Sequence, residues 1–159
     1  MDRRKKKNVT ARKKIRIIDV GCAIIRKKDK LLIAQRNPED TYGNYWEFPG
    51  GKMEDCETIE ECLAREVKEE LGVRIKARKH LFTKFHPYVD RKLRLYFYLC
   101  DWISGKPAAH DCQGFAFVEP EELVNYKFPP ADDTIIRHLI RKRVFYFGKK
   151  SAQKRRGQA

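Results

Sequence analysis

Three glutamates, Glu66, Glu69 and Glu70, stand at i, i+3 and i+4, so on a helix their carboxylates are neighbours that repel by a few tenths of a kcal/mol per pair. Partial burial would add a desolvation cost unless a cation compensates. A hard divalent ion resolves the conflict: Mg²⁺ takes carboxylate oxygen at about 2.0–2.1 Å and keeps waters or substrate phosphates in its other positions. Arg65 sits one turn before Glu69 and can pair with it. Just upstream, Gly50 and Gly51 leave backbone free of side chains, where a carbonyl could approach the same ion.

The element that must position these groups is a helix expected over Thr58–Leu71. Thr58 and Glu61 stand at capping-box spacing, and Gly72 follows where a left-handed residue closes the last turn. Ile59, Leu63, Val67 and Leu71 form one apolar stripe. At about 100° per residue, Glu66 and Glu70 fall beside or within that stripe instead of opposite it. An acidic, solvated surface helix would not place them there.

Gly51, five residues, Glu57, seven residues, then Arg65-Glu66-Val67-Lys68-Glu69-Glu70-Leu71-Gly72-Val73 resembles the Nudix box without departure. Trp46-Glu47-Phe48-Pro49-Gly50-Gly51-Lys52 before it is similar to the approach in the MutT branch of that family. The resemblance implies an α+β fold, the Nudix α/β/α sandwich with a mixed, curved β-sheet. It also implies hydrolysis of a nucleoside diphosphate linked to another moiety, with Mg²⁺ or Mn²⁺ as cofactor. Glu66, Glu69 and Glu70 are then metal ligands with the Gly50 carbonyl, Arg65 and Glu57 orient the glutamates, and Glu66 or Asp111 positions or deprotonates water. Arg36 is implied to reach the nucleotide and Phe48 to line the base pocket. Phe48 is equally readable as a core aromatic, and Asp111 is one methylene shorter than the glutamate usual in its region. A non-catalytic module of this kind generally loses one or more box glutamates, and this chain keeps them all.

At 159 residues the chain fits one domain able to bury close to about 70% of its unfolded surface. No apolar run approaches the 18 or so residues of a membrane span, and the first residues lack the apolar segment of a secretory signal, so a cytoplasmic location and no membrane partner are expected. Five cysteines without a Cys-x-x-Cys pair and four histidines without ligand spacing favour reduced thiols and no zinc site. The net charge of +14 is unevenly placed. Residues 1–16 carry +8 and residues 137–159 carry +9, which leaves the 120 residues between them at −3. The expected organisation is a basic arm over 1–14, a catalytic domain over 15–142 and a basic tail over 143–159. Such ends are solvated tails or contribute weak nucleic-acid contact through phosphates. Neither end interleaves aromatics with its cations as single-strand binders do. The protein is expected as a monomer or a homodimer.

In chain order, strands are expected over 15–26, 31–36, 73–85, 93–100 and 115–118, with one or two of Tyr96, Phe97 and Tyr98 bordering the base. Phe128-Pro129-Pro130-Ala131-Asp132 resembles the Phe-Pro-Pro-Ala-Asn of the MutT branch, whose asparagine reads oxidised guanine. Asp132 is a substitution at that position. An ionised carboxylate accepts hydrogen bonds and does not donate, so Asp132 suits bases presenting N–H groups. It would serve equally well as a helix N-cap. The favoured substrate is an oxidised or modified nucleoside triphosphate, 8-oxo-dGTP first, cleaved to the monophosphate and pyrophosphate. The alternative is a pyrimidine triphosphate such as CTP, dCTP or 5-methyl-dCTP, with ADP-ribose and RNA 5′ ends behind it.

Overall fold

Alternation in β1 (Arg16–Lys27) organises the molecule. Its residues 21–25 are all buried, yet Cys22 and Ile24 belong to one apolar cluster and Ala23 and Ile25 to another, because successive side chains leave a strand on opposite faces. A strand covered on both faces needs a layer on each side. The computed structural model, which describes residues 14–149, supplies both layers.

The sheet has seven strands. After β1 come β2 (Lys30–Gln35), β3 (Trp46–Glu47), β4 (Gly50–Lys52), β5 (Arg74–Pro87), β6 (Arg91–Ser104) and β7 (Gly114–Val118). Their order is β3-β2-β1-β6-β5, with β4 paired to β1 and β7 to β2. The long β1–β6 pairing is parallel and the others are antiparallel, so the sheet is mixed. Irregularities in the β5 register, between Ala77 and Lys79 and between His80 and Phe82, are the kind that bend a sheet.

On one face lies α1 (Ile59–Leu71), whose Leu63, Val67 and Leu71 are fully buried against Ala23, Ile25 and Leu32. Thr58 caps it: its hydroxyl accepts from the Glu61 amide at 3.2 Å, and its own amide donates to the Glu61 carboxylate at 2.8 Å. Gly72 closes it at φ 68°. Gly21 of β1 allows close approach, since a Cβ there would lie 2.8 Å from a Leu63 methyl carbon. On the other face α2 (Asp133–Arg141) buries Ile135 and Leu139 against Ile24, Ile33 and Phe97. The α+β sandwich expected from the sequence is the observed fold. No helix among the described residues is long and apolar enough to cross a membrane.

The packed domain runs past the boundary drawn at residue 142. Arg143–Phe147 forms α3, with Tyr146 and Phe147 in the core cluster and the Arg143 guanidinium beside Glu121, 3.0 Å away. The basic residues around this segment conceal its apolar content in a charge count. The arm over 1–13 and residues 150–159 lie outside the described residues.

Candidate active site

The two glycines of β4 set the site. Gly50 and Gly51 pair with Cys22 and Gly21 of β1, which brings the strand end against the flank of α1. Gly50 has φ 153°, and a Cβ there would run into the Gly21 carbonyl. A Cβ on Gly51 would meet the Glu66 carboxylate, with Oε2 2.5 Å away. The glycine therefore makes the space in which Glu66 sits.

Arg65 gathers the outer carboxylates. Its Nε and Nη2 donate to the two Glu57 oxygens at 2.7 and 3.0 Å, Nη1 donates to Glu66 at 2.8 Å and Glu69 at 3.3 Å, and Nη2 also reaches the Lys52 carbonyl. This bidentate pairing holds the Glu57 carboxyl down to about 2, with a backbone hydrogen bond at Glu54 contributing. Glu57, Arg65, Glu66 and Glu69 thus form one network, of which spacing had indicated the Arg65–Glu69 pair.

Glu70 faces inward. It lines a cleft of about 400 Å³ together with Arg36, Phe48, Gly50, Asp111 and Asp132, so six sequence-expected site residues from five separate segments meet there. Burial pushes the Glu70 carboxyl up to about 9; the charges of Glu47, Glu66 and Asp111 push the same way, opposed by the Gly50 amide at 3.4 Å. Burial likewise lifts Asp132 to about 7, with the Glu47 charge adding to it and Lys84 and Arg36 opposing.

Asp111 reaches the cleft because its loop completes the C-terminus of α1. The amides of Ala108, His110 and Asp111 donate to the carbonyls of Leu71 and Glu70, which have no partner within the helix. Asn37 donates to the Asp111 carboxylate at 3.3 Å. Across the cleft, Arg36 donates Nε to the Thr41 carbonyl at 2.7 Å and Nη1 to Glu47. Gln113 ties the same loop down through the Arg36 carbonyl and the Asn44 side chain, at 2.6 and 2.7 Å.

Phe48 is a core aromatic that also reaches the cleft. It is 4% exposed and packs on Phe97 and Phe128, with centroids 6.4 and 5.1 Å away, while it also lines the cleft. Asp132 stands at the N-cap position of α2 but makes no capping bond; its buried side chain lines the cleft instead. The expectation for Tyr96, Phe97 and Tyr98 needs correcting. Phe97 is wholly buried and Tyr98 packs with the opposite cluster, so Leu93 and Leu95 supply that wall.

Sequence reasoning missed Glu47, whose side chain is partly buried between Arg36 and the other carboxylates, with burial raising it and Arg36 opposing. A lone acid between Trp46 and Phe48 was the available signal. Tyr88 and Arg91, stacked with 4.9 Å between guanidinium carbon and ring centre, also border the cleft; the turn between β5 and β6 carries them there, and no local pattern announced it.

Among the described residues no three His, Cys, Asp or Glu side chains lie close enough together to hold a metal ion as they stand. The donor chemistry nevertheless fits a hard cation. Glu47, Glu70, Asp111 and Asp132 crowd negative charge into one partly buried cleft, and Gly51 leaves Glu66 room beside the strand.

Residues 20–138 match the family model described as NUDIX domain. The chain is 30% identical over 126 residues to the CTP pyrophosphohydrolase of Escherichia coli, covering 79% of this chain and 93% of that protein. It is 33% identical over 127 residues to the 8-oxo-dGTP diphosphatase of Haemophilus influenzae, with the same two coverages. Among solved structures, the solution structure of the E. coli ORF135 protein superposes with a TM-score of 0.73 at 30% identity, over 82% of this chain and 94% of that one.

Proposed function

Because this chain belongs to the Nudix family, as a MutT-like hydrolase of phosphorus anhydrides, we propose that it is a Mg²⁺-dependent nucleoside triphosphate pyrophosphohydrolase that prefers oxidised or modified substrates, 8-oxo-dGTP first. The products would be the nucleoside monophosphate and pyrophosphate, and the role nucleotide-pool sanitation. The observation that carries this reading is that one cleft is lined by Gly50 and Glu70 together with Arg36, Phe48 and Asp132. A nucleotide spans such a site with its phosphates among the carboxylates and its base against the ring.

Glu66, Glu69 and Glu70, with the Gly50 carbonyl, would hold the metal. Bound Mg²⁺ neutralises phosphate charge and acidifies the attacking water. Mn²⁺ meets the same donors. Arg65 and Glu57 keep Glu66 and Glu69 aimed, and Asp111 or Glu66 takes the water's proton. Arg36 is already held by Thr41 and Glu47, so it meets a ligand at little ordering cost.

Asp132 bears on the choice of base. At a pKa of about 7 its carboxyl is partly protonated near neutrality, and a protonated carboxyl donates one hydrogen bond while accepting others. That restores the amide-like pairing a purine carbonyl and its neighbouring N–H require, and supports the oxidised purine. The second reading is a pyrimidine triphosphatase, favoured by ionised Asp132 accepting from the cytosine amine and by the likeness to a CTP pyrophosphohydrolase.

Initial rates with Mg²⁺ on low-micromolar 8-oxo-dGTP, dGTP, dCTP, 5-methyl-dCTP and ADP-ribose, with products identified, test both. A hundredfold kcat/KM preference for 8-oxo-dGTP over dGTP, about 2.7 kcal/mol, is expected. Preference for the cytidine nucleotides would replace the first reading with the second.

A further inference from the structure

The fold builds a second groove at the other end of the sheet from the cleft. Val20 of β1 lines the cleft and Arg26 of the same strand lines the groove, six residues further on, roughly 20 Å at about 3.3 Å per residue. The groove encloses about 390 Å³ and is lined by Arg26, Lys27, Lys28 and Arg78 around a single acid, Asp101, with Trp102 and Tyr146. Nothing in the hydrolytic chemistry uses these residues.

Two cation–ring pairs mark this end of the sheet, one in the groove and one beside Tyr146 at its edge. Lys27 Nζ lies 4.2 Å from the Trp102 ring centre, and Lys79 Nζ lies 5.3 Å from that of Phe145. Phe145 is 71% exposed, and Lys27, Lys28 and Lys79 are exposed as well. Asp101 does not neutralise the cluster. It accepts from Arg26 and Arg78 at 2.6 Å each and thereby fixes two guanidinium groups at the groove wall. Arg26 is tied further to the Tyr146 carbonyl at 2.9 Å, which locks α3 to the end of β1. Five lysines and arginines follow Gly148 in the chain, continuing the positive charge beyond α3.

We propose that this groove and its Tyr146 edge bind single-stranded nucleic acid, with phosphates on Lys27, Lys28 and Arg78 and on Lys79 beside the groove, and bases stacked on Trp102 and on Phe145 next to Tyr146. Cations beside the partly exposed Trp102 and the exposed Phe145 match a strand whose bases are unpaired, because stacking on a side chain requires a base face that a duplex hides. A base arriving at Trp102 displaces Lys27 from the ring and frees its ammonium for the adjacent phosphate. Duplex nucleic acid would meet the charges without using the rings. The proposal does not depend on which nucleotide the cleft hydrolyses.

Fluorescence anisotropy of the full-length chain with labelled twelve-residue oligo(U) and oligo(dT), in 50–200 mM KCl, tests it; the two sugars distinguish RNA from DNA. Binding is expected to be tightest at 50 mM and to fall with salt on a linear log–log slope. Lys27→Glu and Lys79→Glu should each weaken it at least about fivefold and flatten the slope by about 0.7 per lost phosphate contact. Arg16→Glu, at the opposite end of β1 from Arg26, should change it less than twofold. Trp102→Leu should weaken binding where Trp102→Phe retains it. Nucleotide hydrolysis by all five variants should match the unaltered chain, which also verifies their folding. Failure of the unaltered chain to bind at 50 mM would overturn the proposal. So would equal losses at Arg16 and Lys27, which would indicate overall charge alone, or displacement of the oligonucleotide by nucleotide in the cleft. Retention on anionic lipid vesicles without oligonucleotide binding would assign the groove to a membrane surface and overturn it as well.

Discussion

Arg65 and Glu57, eight residues apart across the start of α1, meet in a two-point contact of 2.7 and 3.0 Å that leaves the remaining guanidinium nitrogen for Glu66 and Glu69. Lysine carries the same charge without the planar fork, so it cannot hold Glu57 at two points and Glu66 at a third. Arg65→Lys and Glu57→Gln should each lower kcat by about 10–100-fold, the usual effect of losing a group that aims ligands. Both should leave the far-ultraviolet dichroism unchanged. Unaltered kcat in either variant would remove the positioning role.

Glu70→Gln keeps the shape of the side chain and removes its charge. Turnover should fall by at least about 10² in saturating Mg²⁺, in the range lost when a charge-stabilising group is removed. The rise in melting temperature that Mg²⁺ gives the unaltered protein should shrink with it, since a ligand that binds only the folded state stabilises it. A variant with near-normal rates would refute the metal assignment.

Gly51→Ala sets a methyl against the Glu66 carboxylate. The group it meets is the far end of a flexible side chain, so stability should change by less than about 1 kcal/mol. Catalysis should suffer more, because Glu66 must leave its place beside Arg65. A kcat loss of about tenfold or more with an unchanged urea midpoint is expected. Equal rates would show that Glu66 works from elsewhere.

Asp132 gives the protein a pH signature. Its folded pKa of about 7 lies above its ordinary value of 3.8, so between those values the folded state holds a proton that the unfolded state has released. This contribution to stability is therefore lost as pH rises from about 4 through 7 and stays lost above. Asp132→Asn removes the titration. At pH 8 it should be more stable than the unaltered protein, by on the order of 2–4 kcal/mol in urea unfolding, and the two should converge toward pH 4. Parallel stability curves would show that Asp132 does not titrate in this range.

Ending the chain after Lys142 removes Tyr146 and Phe147, which are 8% and 5% exposed. It also removes the Tyr146 carbonyl that anchors Arg26 and the hydroxyl 3.0 Å from His138. Two buried aromatic rings are worth about 1.5–3 kcal/mol each. The truncated chain should lose at least about 3 kcal/mol in urea unfolding, and a loss below 1 kcal/mol would show that α3 lies loosely on the core.

Much of the site was legible because helical spacing turns sequence distance into spatial distance. Thr58, Glu61 and Gly72 bounded α1, and the offset of Glu66 and Glu70 from the polar face marked them as partly buried carboxylates. The aliphatic run of β1 likewise announced a strand, and the period of two over residues 93–100 announced one with both faces covered. These are local periodicities, and a single chain segment contains all the information they need.

Tertiary structure decided what meets across segments. Glu47 became a cleft residue because β3 pairs with the end of β2, and Tyr88 and Arg91 because the turn between β5 and β6 reaches the same opening. Asp132 became a buried cleft residue instead of a helix cap, at the end of the short turn Pro130–Asp132, where burial and then the Glu47 charge raise its carboxyl. The basic groove depended on three strand ends and α3 converging, so that Lys27 meets Trp102 and Lys79 meets Phe145 from positions 75 and 66 residues apart. Composition recorded those charges and rings, but only the packing of α3 against the end of the sheet could interleave them.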